Sequence, residues 1–294
     1  MTPVERRNLR NGLLFCSPWL VGLALFMLYP LGAAFYYSLT DYSVLLPPVF
    51  IGLDNYGDLF GDPLFWKSLY NTVYFAAGSV GLGVLVSLAL ALLLNNRVRG
   101  IAVYRTIFFL PSLIPVVASS ILWMWMYSGE SGIINSLLAR AGITGPAWLS
   151  DPAWAKPAIV LMAVWGSGHA MVVFLAGLQD VPTALYEAAV IDGAGFFARL
   201  FHVTLPMISP VIYFNVVMGI IGGFQVFTQA YIMTDATGAP ERSTLFYVLH
   251  LYNSGFQDLR MGYACAMAWV LFMIIFGLTF LATRVSRRWV SYDR

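Results

Sequence analysis

Six long apolar runs, at residues 13–38, 68–94, 103–127, 157–178, 208–232 and 261–283, alternate with segments rich in polar residues, Gly and Pro at 41–67, 95–100, 129–156, 179–207 and 233–260. A helix needs about 20 apolar residues to cross a bilayer, and each run is long enough. Inside lipid the backbone polar groups have no water to bond, so each run is expected to be helical. The pattern predicts an all-α integral membrane protein, a single transmembrane domain over residues 1–294 with six spanning helices. Pro18, Pro30, Pro111 and Pro115 fall in or beside these runs and predict kinks or broken turns.

Composition agrees with the pattern. The chain is 60% hydrophobic and 10% charged, with a mean hydropathy of +0.76, well outside the range of soluble domains. A net charge of +2 offers no broad basic surface for nucleic acid. Cys16 and Cys265 each sit in an apolar run and read as small buried hydrophobes rather than a disulfide or metal ligands. The Arg6–Arg7 pair before the first run faintly resembles a twin-arginine signal. The run is too long for one and no small-x-small cleavage site follows, so a retained first span is expected.

Lys and Arg set the expected orientation. With both termini inside, Arg6, Arg7, Arg10, Arg97, Arg99, Arg105, Arg199, Arg284, Arg287, Arg288 and Arg294 are cytoplasmic. Lys67, Arg140, Lys156, Arg242 and Arg260 then lie outside. This asymmetry meets the positive-inside rule with an even number of spans. It places segment 179–207 in the cytoplasm, and 41–67, 129–156 and 233–260 outside.

Segment 179–207 is a charged, helix-prone stretch between two apolar runs. Pro182 suits a first helical turn, and Ala184, Leu185, Glu187, Ala188 and Ala189 favour helix. Gly193 and Gly195 end it. A second short helix is expected from about Phe196 to Val203, with Phe197 and Phe201 stacked at i, i+4, and Pro206 then opens the next span. Small residues, among them Ala188, Ala189, Gly193 and Ala194, leave a surface that a partner can approach. These properties fit equally a docking element and an amphipathic loop lying on the membrane.

The spacing adds a resemblance. Glu187-Ala188-Ala189, Gly193, Val203 and Leu205-Pro206 are similar to the EAA motif of permease subunits of bacterial ABC importers, with Val203 where Ile is also found. The fuller strings EAAVIDG and VTLP resemble the carbohydrate-uptake branch, which includes maltodextrin, oligosaccharide and glycerol-3-phosphate permeases. Ser17-Pro18-Trp19-Leu20, Tyr29-Pro30, Ser38-Leu39-Thr40, the stretch from Phe50 to Tyr56, Asn71-Thr72, and Tyr104-Arg105 through Leu110-Pro111 resemble the first permease of these heterodimers. The resemblance implies the type I importer permease fold in a bacterial or archaeal cytoplasmic membrane. It also implies a second permease subunit, two ATP-binding subunits and an extracytoplasmic solute-binding protein as partners, with lipid around the spans. In such a system 179–207 is the coupling segment, held against the ATPase by Glu187, Ala188, Ala189, Asp192, Gly193, Ala194, Leu205 and Pro206. Glu187 is its foremost charged contact, Asp192 a local cap or ion pair, and Gly193 the turn. The chain has no GxxxxGK[ST] phosphate loop, so no catalytic residue, metal ligand or cofactor is assigned to it. ATP and Mg are expected in the partner.

Sugars are bound by aromatic faces and hydrogen-bonding side chains. The spans flanking the coupling segment are therefore the expected walls of a solute path, with Trp165, Gly166 and His169 on the fourth run and Asn215, Gly223, Gln225 and Gln229 on the fifth. Asn71 on the second run is a further candidate. Each has a plainer alternative: glycines as helix-packing sites, and His169 as a helix–helix hydrogen bonder. Trp123, Trp125 and Tyr127 are expected to form an interfacial aromatic belt. The lack of an intramembrane Lys or Arg leans toward a neutral sugar over a phosphorylated one. Segments 41–67 and 129–156 are candidate docking surfaces for a binding protein, or simply solvated loops.

Other classes fit less well. An ion-coupled secondary transporter requires intramembrane acids, and all fourteen acids fall in tails or loops. A membrane enzyme requires clustered ligands or a nucleophile–base pair, and the three histidines, His169, His202 and His250, lie on separate segments. A channel leaves the coupling segment without a purpose.

Overall fold

The computed structural model describes residues 2–96, 98–129, 131–287 and 289–290. Arg97, Arg288 and Arg294, used above for orientation, lie outside these. Contacts divide the chain into two compact units, Met1–Asp62 with Leu251–Val270, and Pro63–His250 with Leu271–Arg294.

In the first unit, one helix runs from Pro3 to Ser38, starting before the apolar run, and its most apolar window is 0% buried within the chain. A capping box starts it: the Glu5 backbone N–H donates to Thr2 Oγ1 (3.3 Å) and the Thr2 N–H to Glu5 Oε2 (2.7 Å). Pro18 does not break it. Proline leaves the carbonyl four residues back without a donor, here that of Leu14, and the Ser17 hydroxyl fills it at 2.8 Å. Ahead of Pro30 the helix widens to a π turn at Ala24–Leu28 and continues. Cys16 is exposed and Cys265 half-buried, so the expectation of a buried Cys16 is corrected: among the described residues, none covers this helix there.

Beyond Ser38 a two-residue antiparallel ladder pairs Thr40 with Phe50 and Asp41 with Val49. Buried Asn55 donates to the carbonyls of Ser38 and Thr40, both at 2.9 Å. Gly262 abuts the Thr40 carbonyl so closely that a Cβ would overlap it, and Tyr263 donates its hydroxyl to Asp62 at 2.9 Å.

The second unit is built around the Pro63–Leu94 helix, which packs against Pro152–Trp165, Gly168–Gln179 and Ser209–Phe224. Small residues permit the close crossings. Gly78 faces Val160, Gly219 faces Val80 and Gly223 faces Ala76, with an added Cβ 3.0–3.2 Å from the neighbour in each case. One apolar cluster, containing Ala91, Leu94, Phe174, Leu178, Val181 and Ile208, gathers both ends of segment 179–207 with the start of the 95–100 connection. Another, containing Phe75, Trp123, Tyr127, Ile159, Val226, Leu245 and Phe246, gathers the ends facing 129–156 and 233–246.

Three spans are broken rather than straight. Ile101–Leu113 and Val116–Met126 meet at 98°, where Pro115 forces Ile114 to an extended conformation (ψ 128°). Pro152–Trp165 and Gly168–Gln179 meet at 46° without a proline at the break. Gly166-Ser167 supplies it, a pair that bends helices because neither residue holds the ladder rigidly. Phe196–Met207 and Ser209–Phe224 meet at 66°. Pro206 does not open this span as expected. It closes the preceding helix, and Pro210 occupies the first turn of the next, where its missing N–H costs nothing. The predicted run 208–232 also stops at Phe224 and resumes as Thr228–Met233.

Trp123 and Tyr127 correct the belt expectation. They share one helix face at i, i+4 and are 6% and 2% exposed, with the Tyr127 hydroxyl donating to the Ala158 carbonyl at 2.8 Å. Trp125, on the other face, is exposed.

A close contact between two backbones yields a stability prediction. A Cβ on Gly168 would lie 2.9 Å from the Phe108 carbonyl oxygen and 3.1 Å from Phe109 Cα, both backbone atoms that cannot swing away. Gly168→Ala should destabilise the purified protein by about 1–3 kcal/mol through overpacking, seen as a lowered melting temperature in detergent. Gly222→Ala, with no atom within 4 Å of the added Cβ, should be close to neutral in the same assay.

Candidate functional site

Segment 179–207 folds as two helices, Thr183–Ile191 and Phe196–Met207, joined by a tight turn. Pro182 is the N-cap of the first (φ −58°, ψ 126°). A Schellman motif ends it: the Ala194 N–H donates to the Ala189 carbonyl (2.8 Å), and the Gly193 N–H to that of Val190 (3.0 Å). Gly193 has φ +76°, the left-handed conformation glycine adopts without strain. Asp192 is the C-cap residue and is exposed, as is Glu187. The second helix extends past the expected Val203 because a π turn at Leu200–Thr204 accommodates Pro206. Tyr186 and Thr204 bridge the two helices through their hydroxyls at 3.1 Å.

Both ends of the pair are rooted in the apolar cluster, through Val181 and Ile208, with Tyr186, Leu205 and Met207 packed against it. Its outer face carries large apolar side chains: Ile191 is 86% exposed and Phe197 70%, with Val190, Phe196 and Phe201 also exposed. The ring contact formed is Phe196–Phe197, edge-on at 5.3 Å. Ala188 is exposed and Ala189 half-buried. Sequence reasoning singled out the small residues as the approachable surface, passed over Ile191, and expected Phe197 to stack on Phe201 rather than to stand exposed. Their signal was the run of bulky apolar residues beside glycines in a segment otherwise polar.

A cavity of ≈ 390 Å³ lies where the Ser209–Phe224 helix ends. Gly223, Gln225 and Gln229 line it, together with Phe75, Ser79, Phe227 and Thr228, which sequence reasoning missed. Ser79 and Phe75 lie one turn apart on the Pro63–Leu94 helix, a serine and an aromatic in a run otherwise too uniform to reveal its inner face. Amide and hydroxyl groups beside two phenyl faces, with no charged side chain in the lining, suit a neutral polyhydroxylated solute.

The remaining candidates are elsewhere. Trp165 makes an edge contact with Trp123 at 5.7 Å, Gly166 forms the span break, and exposed His169 meets the Phe109 ring at 5.2 Å. Asn215 donates back to the Val211 carbonyl one turn away at 2.9 Å. Asn71 is fully buried, and its amide is committed to the carbonyls of Arg242 (2.9 Å) and Leu245 (3.0 Å) and to Lys156 Nζ (3.1 Å). None of the five lines the cavity.

The first unit holds a separate polar cleft of ≈ 660 Å³ lined by Asp41, Tyr42, Asp54, Asp58, Arg260 and Tyr263. Arg260 lies over the Tyr263 ring at 4.5 Å and pairs with Asp58 at 3.4 Å. Both members of that pair are more than half exposed, so it contributes little to stability.

Residues 79–291 match the family described as binding-protein-dependent transport system inner membrane component. The chain is 40% identical over 291 residues to the probable ABC transporter permease protein YesP of Bacillus subtilis (strain 168), covering 98% of this chain and 94% of that one. It is 38% identical over 283 residues to the lactose transport system permease protein LacF of Rhizobium radiobacter, covering 94% of each. Its fold matches a chain of a bacterial alginate ABC transporter, crystallised in complex with a periplasmic protein bound to alginate pentasaccharide. The TM-score is 0.82 at 24% identity, covering 97% of this chain and 96% of that one.

Thiol labelling checks the cavity. In a chain with Cys16 and Cys265 replaced by Ser, Gln225→Cys and Thr228→Cys should react readily with a small maleimide. Asn71→Cys, at a fully buried position, should react at least ten-fold more slowly.

Proposed function

Because the chain belongs to the family of binding-protein-dependent transport system inner membrane components, we propose that it is a permease subunit of an ATP-driven importer of a sugar or sugar derivative, forming half of the solute path. The observation that carries the mechanism is the rooted helix pair of segment 179–207, with its exposed apolar face and a glycine-closed turn. The pair docks on a cytoplasmic ATP-binding subunit. Ile191, Phe197 and Phe201 fill its groove, while Glu187, Ala188, Ala189, Asp192, Gly193 and Ala194 form the turn side of the contact. Leu205 and Pro206 tie the second helix to the span.

Movement of the pair passes directly into the two flanking helices. Gly168–Gln179 and Ser209–Phe224 are in register where Gly177 meets Val211, with no space for a Cβ between them (2.7 Å). They behave as one lever of 12 and 16 residues, about 18 and 24 Å long at 1.5 Å per residue. The far ends are the breaks at Gly166-Ser167 and Gln225–Phe227, and the second break borders the cavity. Displacement at the coupling segment therefore reaches Gln225 and Gln229, which hydrogen-bond the solute hydroxyls while Phe75 and Phe227 cover its apolar faces.

The partners in this reading are a second permease subunit, two ATP-binding subunits that hold ATP and Mg, and an extracytoplasmic solute-binding protein. The chain itself catalyses nothing and binds no cofactor. Both termini are cytoplasmic, an orientation supported by the excess of Arg on that side and by the clustering of the 95–100 connection with segment 179–207. The polar cleft around Asp54, Asp58 and Arg260 then faces the binding protein. The sugar class rests on the lactose relative and on the uncharged cavity lining.

Two experiments test the reading. Gly193→Asp, assembled in the full complex, should insert normally but lose solute uptake while the ATPase subunits still hydrolyse ATP. Uptake at the normal rate would falsify the coupling role. Gln225→Ala should raise KM for labelled lactose or a related saccharide roughly five-fold, the worth of a single hydrogen bond of about 1 kcal/mol. His169→Ala, outside the cavity lining, should leave KM unchanged.

A further inference from the structure

We infer that Asn71 and Lys156 are positioning residues for the solute cavity: through the segment Asp235–Phe246 they set the wall on which the solute rests. This deepens the cavity reading above and rests on it.

The segment between Met233 and Tyr247 is backbone under constraint. Asp235, Ala236, Glu241 and Arg242 have φ between 48° and 59°, and Gly238 has φ 72°. L-residues with side chains avoid this region, and a run of them persists only where surrounding contacts impose it. Internal bonds supply part of the constraint. The Ser243 N–H donates to the Pro240 carbonyl (2.8 Å), and Thr244 Oγ1 to that of Ala239 (2.8 Å). Gly238 lies against Leu245 with no room for a Cβ (2.7 Å).

Consecutive residues of the Pro63–Leu94 helix supply the rest. Asn71 Nδ2 donates to the carbonyls of Arg242 (2.9 Å) and Leu245 (3.0 Å), and the Tyr247 N–H donates to Thr72 Oγ1 (2.8 Å). Asn71 can hold two carbonyls only with its NH₂ turned toward them, since the flipped amide would set oxygen against oxygen. Lys156 satisfies the other end of the amide. Its ammonium donates to Asn71 Oδ1 at 3.1 Å while resting over the rings of Tyr70 (4.8 Å) and Tyr74 (5.1 Å). The amide is then fully satisfied in one orientation, at a site with no access to water.

The clamped segment delivers Leu245 and Phe246 into the core, 4% and 0% exposed. The Phe246 ring packs on Phe75 with centroids 5.3 Å apart, and Val226 joins the same cluster. Phe75 and Val226 both line the cavity. Asn71 and Phe75 are also one turn apart on one helix. The connection runs from the Lys156 ammonium through the Asn71 amide, the constrained segment and Phe246 to the cavity wall, although neither Asn71 nor Lys156 touches the cavity. Lys156→Met removes the ammonium but keeps the length of the side chain, so the buried Asn71 Oδ1 loses its donor and the clamp on the wall loosens. Lys156→Arg restores a donor to Oδ1.

The test uses the full reconstituted complex. The maleimide labelling rate of Gln225→Cys, in a chain lacking Cys16 and Cys265, is compared with and without Lys156→Met. Uptake of labelled galactose, lactose and raffinose is measured in parallel. Lys156→Met should shift the labelling rate at least three-fold, raise KM for the preferred saccharide about five-fold with kcat within two-fold, and flatten the preference among the three. Lys156→Arg should recover most of the change, and Asn71→Asp should reproduce or exceed the defect. If Asn71→Asp fails to assemble, the Lys156 pair carries the comparison. An unchanged labelling rate in Lys156→Met overturns the clamp. An unchanged KM in Lys156→Met alone overturns its role in selectivity. Unchanged KM in both Lys156→Met and Gln225→Ala overturns the cavity as the solute path instead.

Discussion

Hydrocarbon contains no water to satisfy a backbone carbonyl, and that single constraint shapes the breaks and bends of this chain. A proline inside a helix removes one donor, and the structure answers in more than one way. At Pro18 the preceding Ser17 replaces the donor, its hydroxyl covering the Leu14 carbonyl at 2.8 Å. At Pro30 and Pro206 a π turn precedes the proline, at Ala24–Leu28 and at Leu200–Thr204. At Pro115 the span bends by 98° instead.

Small residues set the helix crossings. The helices flanking segment 179–207 are tied together where Gly177 meets Val211, and each ends at an irregular stretch, Gly166-Ser167 and Gln225–Phe227. Close glycine crossings make the helices between these points stiff with respect to one another. One end of this tied pair borders segment 179–207 and the other the cavity. The same logic explains why Gly193 has open space around it but a fixed φ: its task is to end a helix, whereas that of Gly168 is to let two backbones touch.

Much of this was legible in the chain of letters. Each apolar run falls on a long helix or a bent helix pair, because lipid imposes a length and a polarity on the sequence. The coupling segment was legible down to its glycine turn, since caps and turns are local chemistry. The 46° bend at Gly166-Ser167 and the halt at Phe224 were not, because Gly and Ser are equally at home in an unbroken packed helix. Nor was Asn71. A lone asparagine in a span signals a polar purpose, but its partners, Arg242, Leu245 and Lys156, are brought to it only by tertiary folding. Trp123 and Tyr127 misled for the converse reason: at the end of a span, an aromatic facing inward and one facing lipid look alike in sequence.

The Ser17–Pro18 pair has a consequence for how such a chain can change over generations. Losing Ser17 alone strands the Leu14 carbonyl, while losing Pro18 alone restores the ordinary ladder and leaves the serine idle. The two substitutions are therefore unequal in order: the proline can be exchanged first and the serine afterwards, but the reverse route passes through a defective intermediate. Two adjacent positions are in this sense inherited as one character, with a single permitted direction of exit.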